Sequence, residues 1–276
     1  MKVIDMREYF KKFYREINTI GKWTAFEKYY EGYKELFDLM IKGLYMVELN
    51  EFKAIVENTN FHAISKKLSC IDVETIEKIK EIVKKSVENL HFEEEFDLYV
   101  GVGLGHACGV ALPTKRPSIY VGLECIDACD INFLIPHEVN HMVRIKSIEN
   151  INLYSFAERV VTEGLGVIYP LILNKLPIDV DNIRRTLVID KNQVELLKEK
   201  EDEVKQNVIG HFNDTLDYKL MNEFFTIQND ETTKPVLSGY YIGLRIVEKA
   251  LNEGYEIDQL TRLHVNEFLE QIIGFK

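Results

Sequence analysis

Apolar residues recur every three or four positions through residues 5–90, the spacing that places side chains on one face of an α-helix. Three such stripes stand out, at residues 10–17, 26–40 and 73–87. The pattern therefore predicts a helical N-terminal region over residues 1–95.

The second stripe is rich in aromatic residues and includes Tyr29, Tyr30 and Tyr33. An aromatic stripe at helical spacing usually forms part of a hydrophobic core. The alternative is a surface that binds a peptide or a partner protein, and exposure of the three tyrosines would indicate it. We expect the core.

The pattern changes at Phe96, where short runs of β-branched and aromatic residues replace the helical spacing. Residues 97–103 and 118–123 are two such runs bounded by glycine or proline, and residues 108–113 supply a third. They predict a small β-sheet just before the next helix. The edge of such a sheet can pair with an extended peptide, whereas the alternative is a sheet that only covers the helix.

The remaining chain returns to helical spacing. Pro136 predicts a helix boundary or a bend close to Ile135, because proline is tolerated in the first helical turn and otherwise kinks a longer helix. Further elements are expected as helices at residues 192–208, 213–225, 238–251 and 258–273, with a loop at residues 229–235. The chain is thus predicted to be α+β and mainly helical, with a second domain over residues 96–276.

Composition narrows the classes of partner. Of the 276 residues, 46% are hydrophobic, so a packed core is expected. The net charge of -11 argues against binding to nucleic acid or to an anionic membrane, since both need clustered lysine and arginine. The N-terminus lacks the apolar core of a secretory signal, and no apolar run reaches the ~18 residues of a membrane span. We expect a soluble, cytoplasmic protein whose oligomeric state the sequence leaves open.

The four cysteines, His106 and His264 indicate no further metal or catalytic site. The four cysteines contain no CxxC pair, so neither a zinc ribbon nor a disulfide framework is indicated. Cys125 and Cys129 have the spacing of a metal or redox pair on one helix face, but we interpret them as small apolar residues. His106 is interpreted as a solvated loop residue and His264 as structural.

The segment from His137 to His141 contains the pattern HExxH. On a helix, His137 and His141 lie one turn apart on the same face, so both imidazoles can reach one metal ion. Glu138 lies on the adjacent edge, where its carboxylate can hydrogen-bond a metal-bound water without ligating the metal. This arrangement predicts a zinc-dependent hydrolase with Glu138 as general base. The alternative is an ordinary amphipathic helix with two surface or core histidines.

A zinc site of this type needs a third protein ligand. The pattern HExxHxxGxxH is excluded, because it would need glycine and histidine where Arg144 and Ser147 stand. A glutamate from a second helix is the other known arrangement, and Glu158 and Glu163 both lie in the next helical segment. Gly164 and Gly166 favour Glu163, since a glycine beside a ligand lets two helix backbones approach closely. Glu158 is expected to be solvated, with Arg159 or Arg144 as its ion partner.

Three motifs in this order resemble a bacterial family of predicted zinc-dependent proteases whose core reads HExNHxxR, EGLA and GYxIG. They run from His137 to Arg144, from Thr162 to Leu165 and from Gly239 to Gly243. The resemblance leaves the first 95 residues uncovered. Gly166 stands where the family pattern has alanine, a departure that changes none of the implied ligands.

The resemblance implies a gluzincin-like metallopeptidase domain that acts on a peptide or protein substrate. The implied zinc ligands are His137, His141 and Glu163, with Glu138 as base. The family's GYxIG motif places its tyrosine at Tyr240, whose phenol can stabilise negative charge on a carbonyl oxygen. The alternative for Tyr240 is a ring that only packs into the core. The alternative function is a non-catalytic metal-binding sensor or interaction protein, which needs the ligands but not Glu138.

Overall fold

The computed structural model describes three stretches of the chain, residues 1–105, 107–227 and 235–274, without the side chain of Ile273. Over these stretches the protein is mainly helical with one four-stranded β-sheet, which confirms the predicted α+β class. The predicted loop at residues 229–235, apart from its last residue, and the interpretation of His106 lie outside the described residues.

Helices occupy most of the described chain. In chain order they are α1 (Arg7–Ile20), α2 (Lys22–Gly32), α3 (Lys34–Met40), α4 (Leu49–Asn58), α5 (Phe61–Leu68), α6 (Val73–Asn89), α7 (Ile131–Ser147), α8 (Phe156–Leu173), α9 (Val180–Leu187), α10 (Lys191–Glu199), α11 (Glu201–Gly210), α12 (Tyr218–Phe225), α13 (Ser238–Asn252), α14 (Ile257–Arg262) and α15 (Val265–Phe268). Turns of π-helix follow α3 and α15, at Ile41–Tyr45 and Leu269–Ile273.

The sheet contains β1 (Lys2–Asp5), β2 (Asp97–Gly101), β3 (Gly109–Leu112) and β4 (Ser118–Gly122) in the order β1-β2-β4-β3. Strand β2 is parallel to both β1 and β4, whereas β3 is antiparallel to β4. The three strands expected from the sequence are confirmed. Strand β1 is an addition, because its sequence Lys2-Val3-Ile4-Asp5 does not alternate apolar and polar residues.

The chain divides into two compact units. One unit comprises Met1–Lys84 and Glu93–Ile131, and the other comprises Lys85–Phe92 and Asn132–Lys276. The sheet belongs to the first unit. The predicted division into domains at residue 95 stays a prediction, as does the pairing of a peptide with the sheet edge.

An aromatic core fills the helical part of the first unit. Tyr29 and Tyr30 are 3% and 9% exposed, and Tyr33 packs against the same cluster while partly buried. The Tyr29 hydroxyl donates a hydrogen bond of 2.7 Å to the carbonyl of Val102. The aromatic stripe is therefore core, as expected from its spacing.

Three cysteine thiols of the first unit lie close together. The Cys108 thiol hydrogen-bonds those of Cys125 and Cys129, and the Cys129 thiol also donates to the Cys125 carbonyl at 3.2 Å. Cys125 is buried, as expected for a small apolar residue, whereas Cys129 is partly exposed.

Helix α7 continues through Pro136, so a boundary near Ile135 is wrong, whereas the alternative of a bend there stays a prediction. Proline has no N–H to donate to the carbonyl four residues earlier, which here is that of Asn132. The side-chain amide of Asn174 donates to this carbonyl instead, at 3.2 Å. A partner from a distant part of the chain therefore satisfies the group that the proline leaves free.

Three helices expected to be continuous or longer are shorter in the structure. The helix expected at residues 192–208 is interrupted at Lys200, and the one expected from Asn213 begins only at Tyr218. The last expected helix, residues 258–273, is split into α14 and α15. Side-chain caps explain two of these changes, because Asp217 accepts a hydrogen bond from Leu220 N–H at 2.8 Å and His264 from Asn266 N–H at 3.3 Å. The structural interpretation of His264 is thereby confirmed.

Helices long and apolar enough to span a lipid bilayer are absent from the part of the chain that the structure describes.

Glu124 is a buried carboxyl group in the first unit. It is 2% exposed, and its Oε1 atom accepts hydrogen bonds from Gly103 N–H at 2.7 Å and Gly105 N–H at 3.2 Å. Its Oε2 atom has no hydrogen-bond partner among the described residues. Burial raises the pKa of Glu124 from 4.5 to about 7, although the two N–H donors act to lower it.

We predict that Glu124→Gln removes a pH-dependent part of the stability. The folded protein holds the Glu124 proton more tightly than the unfolded chain, so this contribution is fully present below about pH 4.5 and is lost as pH rises through about 7. A shift of this size corresponds to roughly 3 kcal/mol. Denaturant unfolding at pH 5 and pH 8 should show a smaller loss of stability for the variant than for the wild type. Parallel pH profiles for the two proteins would contradict the prediction.

Candidate metal centre

Helix α7 directs the two histidines of the HExxH pattern towards one point. The Nε2 atoms of His137 and His141 each lie 3.2 Å from Oε2 of Glu163, which α8 supplies. The two imidazole centroids are 4.3 Å apart. The three ligand-type atoms lie within 4.8 Å of one another, and among the described residues this is the cluster able to hold a metal ion.

The donor set fits a metal site with one position left open. Zinc bonds to imidazole nitrogen and carboxylate oxygen are about 2.0–2.2 Å long, so tetrahedral neighbours lie about 3.3–3.5 Å apart. The observed separations of 3.2 Å are close to this spacing. Two imidazoles and one carboxylate leave a fourth position for water or substrate, as in catalytic zinc sites. Such donors suit several divalent metals, zinc among them.

Glu163 is a buried negative charge that its neighbours stabilise. Burial by itself would raise the pKa of this carboxyl group, but His141, Arg159 and His137 outweigh that effect and hold the pKa well below its usual value. Burial likewise acts to lower the pKa of His137, and the adjacent Glu163 outweighs it, so this pKa is raised. The Glu163 side chain is therefore an ionised carboxylate facing two imidazoles.

The two carboxylate oxygens of Glu163 have different partners, and Arg159 contacts one of them. Its Nη1 atom lies 3.3 Å from Oε1, whereas the imidazoles approach Oε2. The guanidinium also lies 6.0 Å from the ring centroid of Phe225. Arg159 is one of the two ion partners expected for Glu158 from the sequence, but the structure pairs it with Glu163. The spacing of four residues between Arg159 and Glu163 is the sequence signal for this pair.

Glu138 and Tyr240 complete the group of predicted site residues. Glu138 is 7% exposed and lies close enough to His137 and Tyr240 for its charge to act on both. The Tyr240 hydroxyl hydrogen-bonds Glu163, and its ring centroid is 6.4 Å from that of His137. Burial, and then the charge of Glu163, raise the pKa of Tyr240, so the phenol stays protonated and can donate. The structure thus brings the predicted site residues together, while their roles stay predictions.

Glycines allow close approach at this site. A Cβ atom at Gly164 would lie 2.1 Å from the backbone of Gly243, so α8 and α13 are in backbone contact. A Cβ atom at Gly166 would lie 2.7 Å from Cε1 of both His137 and His141. Alanine at position 166 would therefore displace at least one imidazole. The family pattern has alanine here, and the glycine of this chain leaves room for both rings in the positions observed.

Glu158 is buried, not solvated as expected from the sequence. It pairs with Arg144, the second of its two expected partners, whose Nε atom donates to Glu158 Oε1 at 2.7 Å and to Thr162 Oγ1 at 3.0 Å. The Nη1 atom of Arg144 donates to the carbonyls of Thr261 and Leu263, at 3.2 and 3.0 Å. Arg144 thus connects α7 to α8 and to the C-terminal end of α14, where a positive charge is favourable.

Asn140 makes a second connection between α7 and α14. Its side-chain amide donates a hydrogen bond of 2.8 Å to Thr261 Oγ1, and the Thr261 hydroxyl donates to the carbonyl of Ile257 at 2.7 Å. In the HExNHxxR pattern, the asparagine and the arginine therefore connect helices, whereas the two histidines belong to the metal cluster.

Comparisons with protein-family models, with curated proteins and with solved structures returned no match to this chain. The assignment of the site therefore depends on its own geometry and chemistry.

We predict that Glu163→Gln and Glu158→Gln affect metal binding differently. Glutamine at position 163 loses the charge that faces the two imidazoles, so affinity for Zn²⁺ should fall on the order of 10²-fold or more. Glutamine at position 158 keeps an acceptor oxygen for Arg144 and changes none of the clustered ligand atoms, so the variant should lose stability but retain its affinity. Competition with a chromophoric chelator measures both values, and circular dichroism verifies folding.

The Glu158 variant is the matched control, because it makes the same substitution at a buried residue of the same helix. Loss of zinc affinity in the Glu158 variant with retention in the Glu163 variant would contradict the assignment of Glu163 to the metal cluster.

Proposed function

We propose that this protein is a zinc-dependent peptidase of the gluzincin type, with His137, His141 and Glu163 as the metal ligands. The observation that carries the proposal is the convergence of both Nε2 atoms on the buried Glu163 carboxylate, with Glu138 beside them. Zinc, when bound, would lower the pKa of a coordinated water towards neutrality and polarise a substrate carbonyl. A peptide or protein is the substrate class that this chemistry and the three sequence motifs favour.

Glu138 is assigned the proton transfers. A carboxylate oxygen of Glu138 accepts the proton of the attacking water as the water oxygen bonds to the peptide carbonyl carbon. The same carboxyl group then donates this proton to the leaving amine nitrogen as the C–N bond breaks. Its position next to the first ligand in sequence, outside the ligand cluster itself, supports this role.

Tyr240 is assigned the stabilisation of the carbonyl oxygen. Its hydroxyl is protonated and hydrogen-bonds Glu163 beside the metal cluster. A carbonyl oxygen that becomes negative next to His137 is a competing acceptor for this donor, and the hydrogen bond strengthens as charge develops. Phe225 packs edge-on against the Tyr240 ring at a centroid distance of 5.7 Å and orients it.

We predict that Glu138→Gln retains zinc and loses peptidase activity. The substitution preserves size but removes the base, so hydrolysis should fall by a factor on the order of 10²–10⁴. Tyr240→Phe should cost less, on the order of 10–10³, because the metal provides most of the oxyanion stabilisation. Cleavage of a mixed peptide library, followed by mass spectrometry, supplies the substrate and the rates, with zinc content measured in parallel.

The control is Glu149→Gln, which makes the same substitution at an exposed residue just beyond α7 and should cleave at the wild-type rate. If the Glu138 variant cleaves as fast as the wild type, the peptidase assignment fails. A zinc-loaded protein that cleaves no peptide would instead favour the metal-binding sensor.

A further inference from the structure

Helix α8 carries a proline in its interior, close to the candidate metal site. Pro170 lies four residues after Gly166 and three residues before the helix ends at Leu173. Because proline has no N–H, the Gly166 carbonyl loses the donor that would normally close the helical turn. A proline ring inside a helix also crowds the carbonyl four residues earlier, which here is that of Gly166.

The Gly166 carbonyl has a different donor, which is His137. The imidazole of His137 hydrogen-bonds the Gly166 backbone. We assign this hydrogen bond to Nδ1, because Nδ1 lies on the Gly166 side of the ring, 2.8 Å from where a Cβ atom of residue 166 would be, whereas Nε2 lies 3.2 Å from Oε2 of Glu163. The carbonyl that Pro170 leaves free therefore accepts the proton of the ring nitrogen that points away from the metal cluster.

This contact determines which nitrogen of His137 is available to a metal. An imidazole whose Nδ1 carries the proton presents the lone pair of Nε2, and the acceptor on Nδ1 holds the ring orientation. The second histidine lacks such a contact, because Nδ1 of His141 is buried without a hydrogen-bond partner among the described residues. The protein thus orients one of the two imidazoles through α8.

Pro136 provides the comparison within the same unit. It also lies inside a helix and frees a backbone carbonyl, that of Asn132, but the donor there is the Asn174 side chain. Both prolines therefore leave a carbonyl that accepts a side-chain hydrogen bond. The carbonyl freed by Pro170 accepts from a residue of the metal cluster, whereas the carbonyl freed by Pro136 accepts from Asn174.

We infer that Pro170 is a positioning residue for the metal site, which acts by keeping the Gly166 carbonyl free to hold His137 with Nε2 directed at the metal. The inference rests on the proposed zinc site and adds to it a residue outside all three sequence motifs. Its effect is on metal affinity and does not require that the protein hydrolyse peptides.

Pro170→Ala restores an N–H that competes with His137 for the Gly166 carbonyl. We expect the dissociation constant for Zn²⁺ to increase by about 10–100-fold, the usual cost of losing a hydrogen bond that orients a ligating histidine. Pro136→Ala is the matched control and should bind zinc as the wild type does, because the N–H it restores competes with the Asn174 side chain for the Asn132 carbonyl. Chelator competition gives the affinities, and thermal unfolding of the metal-free proteins verifies the fold.

A measurement on the wild type covers the case in which Pro170→Ala does not fold. In the zinc-loaded protein with ¹⁵N-labelled histidine, the Nδ1 proton of His137 should exchange slowly with solvent and show coupling to its ring nitrogen. Rapid exchange at this position would overturn the inference.

The outcomes separate this inference from the proposed function. A wild-type protein that binds no zinc contradicts the proposed function and, with it, the inference. A wild type that binds zinc while Pro170→Ala binds equally tightly overturns the inference alone. Equal weakening by Pro136→Ala and Pro170→Ala also overturns it, since the effect would then belong to helix prolines in general.

Discussion

The buried Glu163 carboxylate is the group around which the C-terminal unit is arranged. An ionised carboxylate in a protein interior costs several kcal/mol unless positive charges or hydrogen-bond donors compensate for it. Arg159 binds one oxygen at 3.3 Å, and the two histidines approach the other at 3.2 Å. A divalent cation bound at the same point would compensate the Glu163 charge further. The proposed metal site would therefore also stabilise the fold.

Contacts between helices hold the residues around Glu163 in place. Backbone contact at Gly164 and Gly243 holds α8 against α13, which places Glu163 and Tyr240 side by side. Arg144 connects α7 with α8 and α14 through a buried ion pair and backbone carbonyls that include those of Thr261 and Leu263. Removing either partner of such a pair leaves an uncompensated charge, so these contacts specify how the helices dock. Arg144 lies outside the metal cluster and therefore contributes to the packing of the helices that carry the ligands.

The sequence predicts those parts of the structure that depend on local spacing. The HExxH histidines share a helix face because they are four residues apart, whereas the choice between Glu158 and Glu163 depends on how α8 docks. Strand β1 pairs Lys2 with Asp97, which is distant in the sequence, so the local pattern of the four strand residues does not predict this pairing. The continuity of α7 through Pro136 depends likewise on Asn174. Non-local partners account for the larger differences between the expected and observed structures.

The most direct test of the account is the anomalous diffraction of crystals of the zinc-loaded protein, recorded on both sides of the zinc absorption edge. We expect one strong peak about 2.0–2.2 Å from Nε2 of His137, Nε2 of His141 and Oε2 of Glu163. A peak at another position, such as the thiols of Cys108 and Cys125, with no metal at the three predicted ligands, would contradict it.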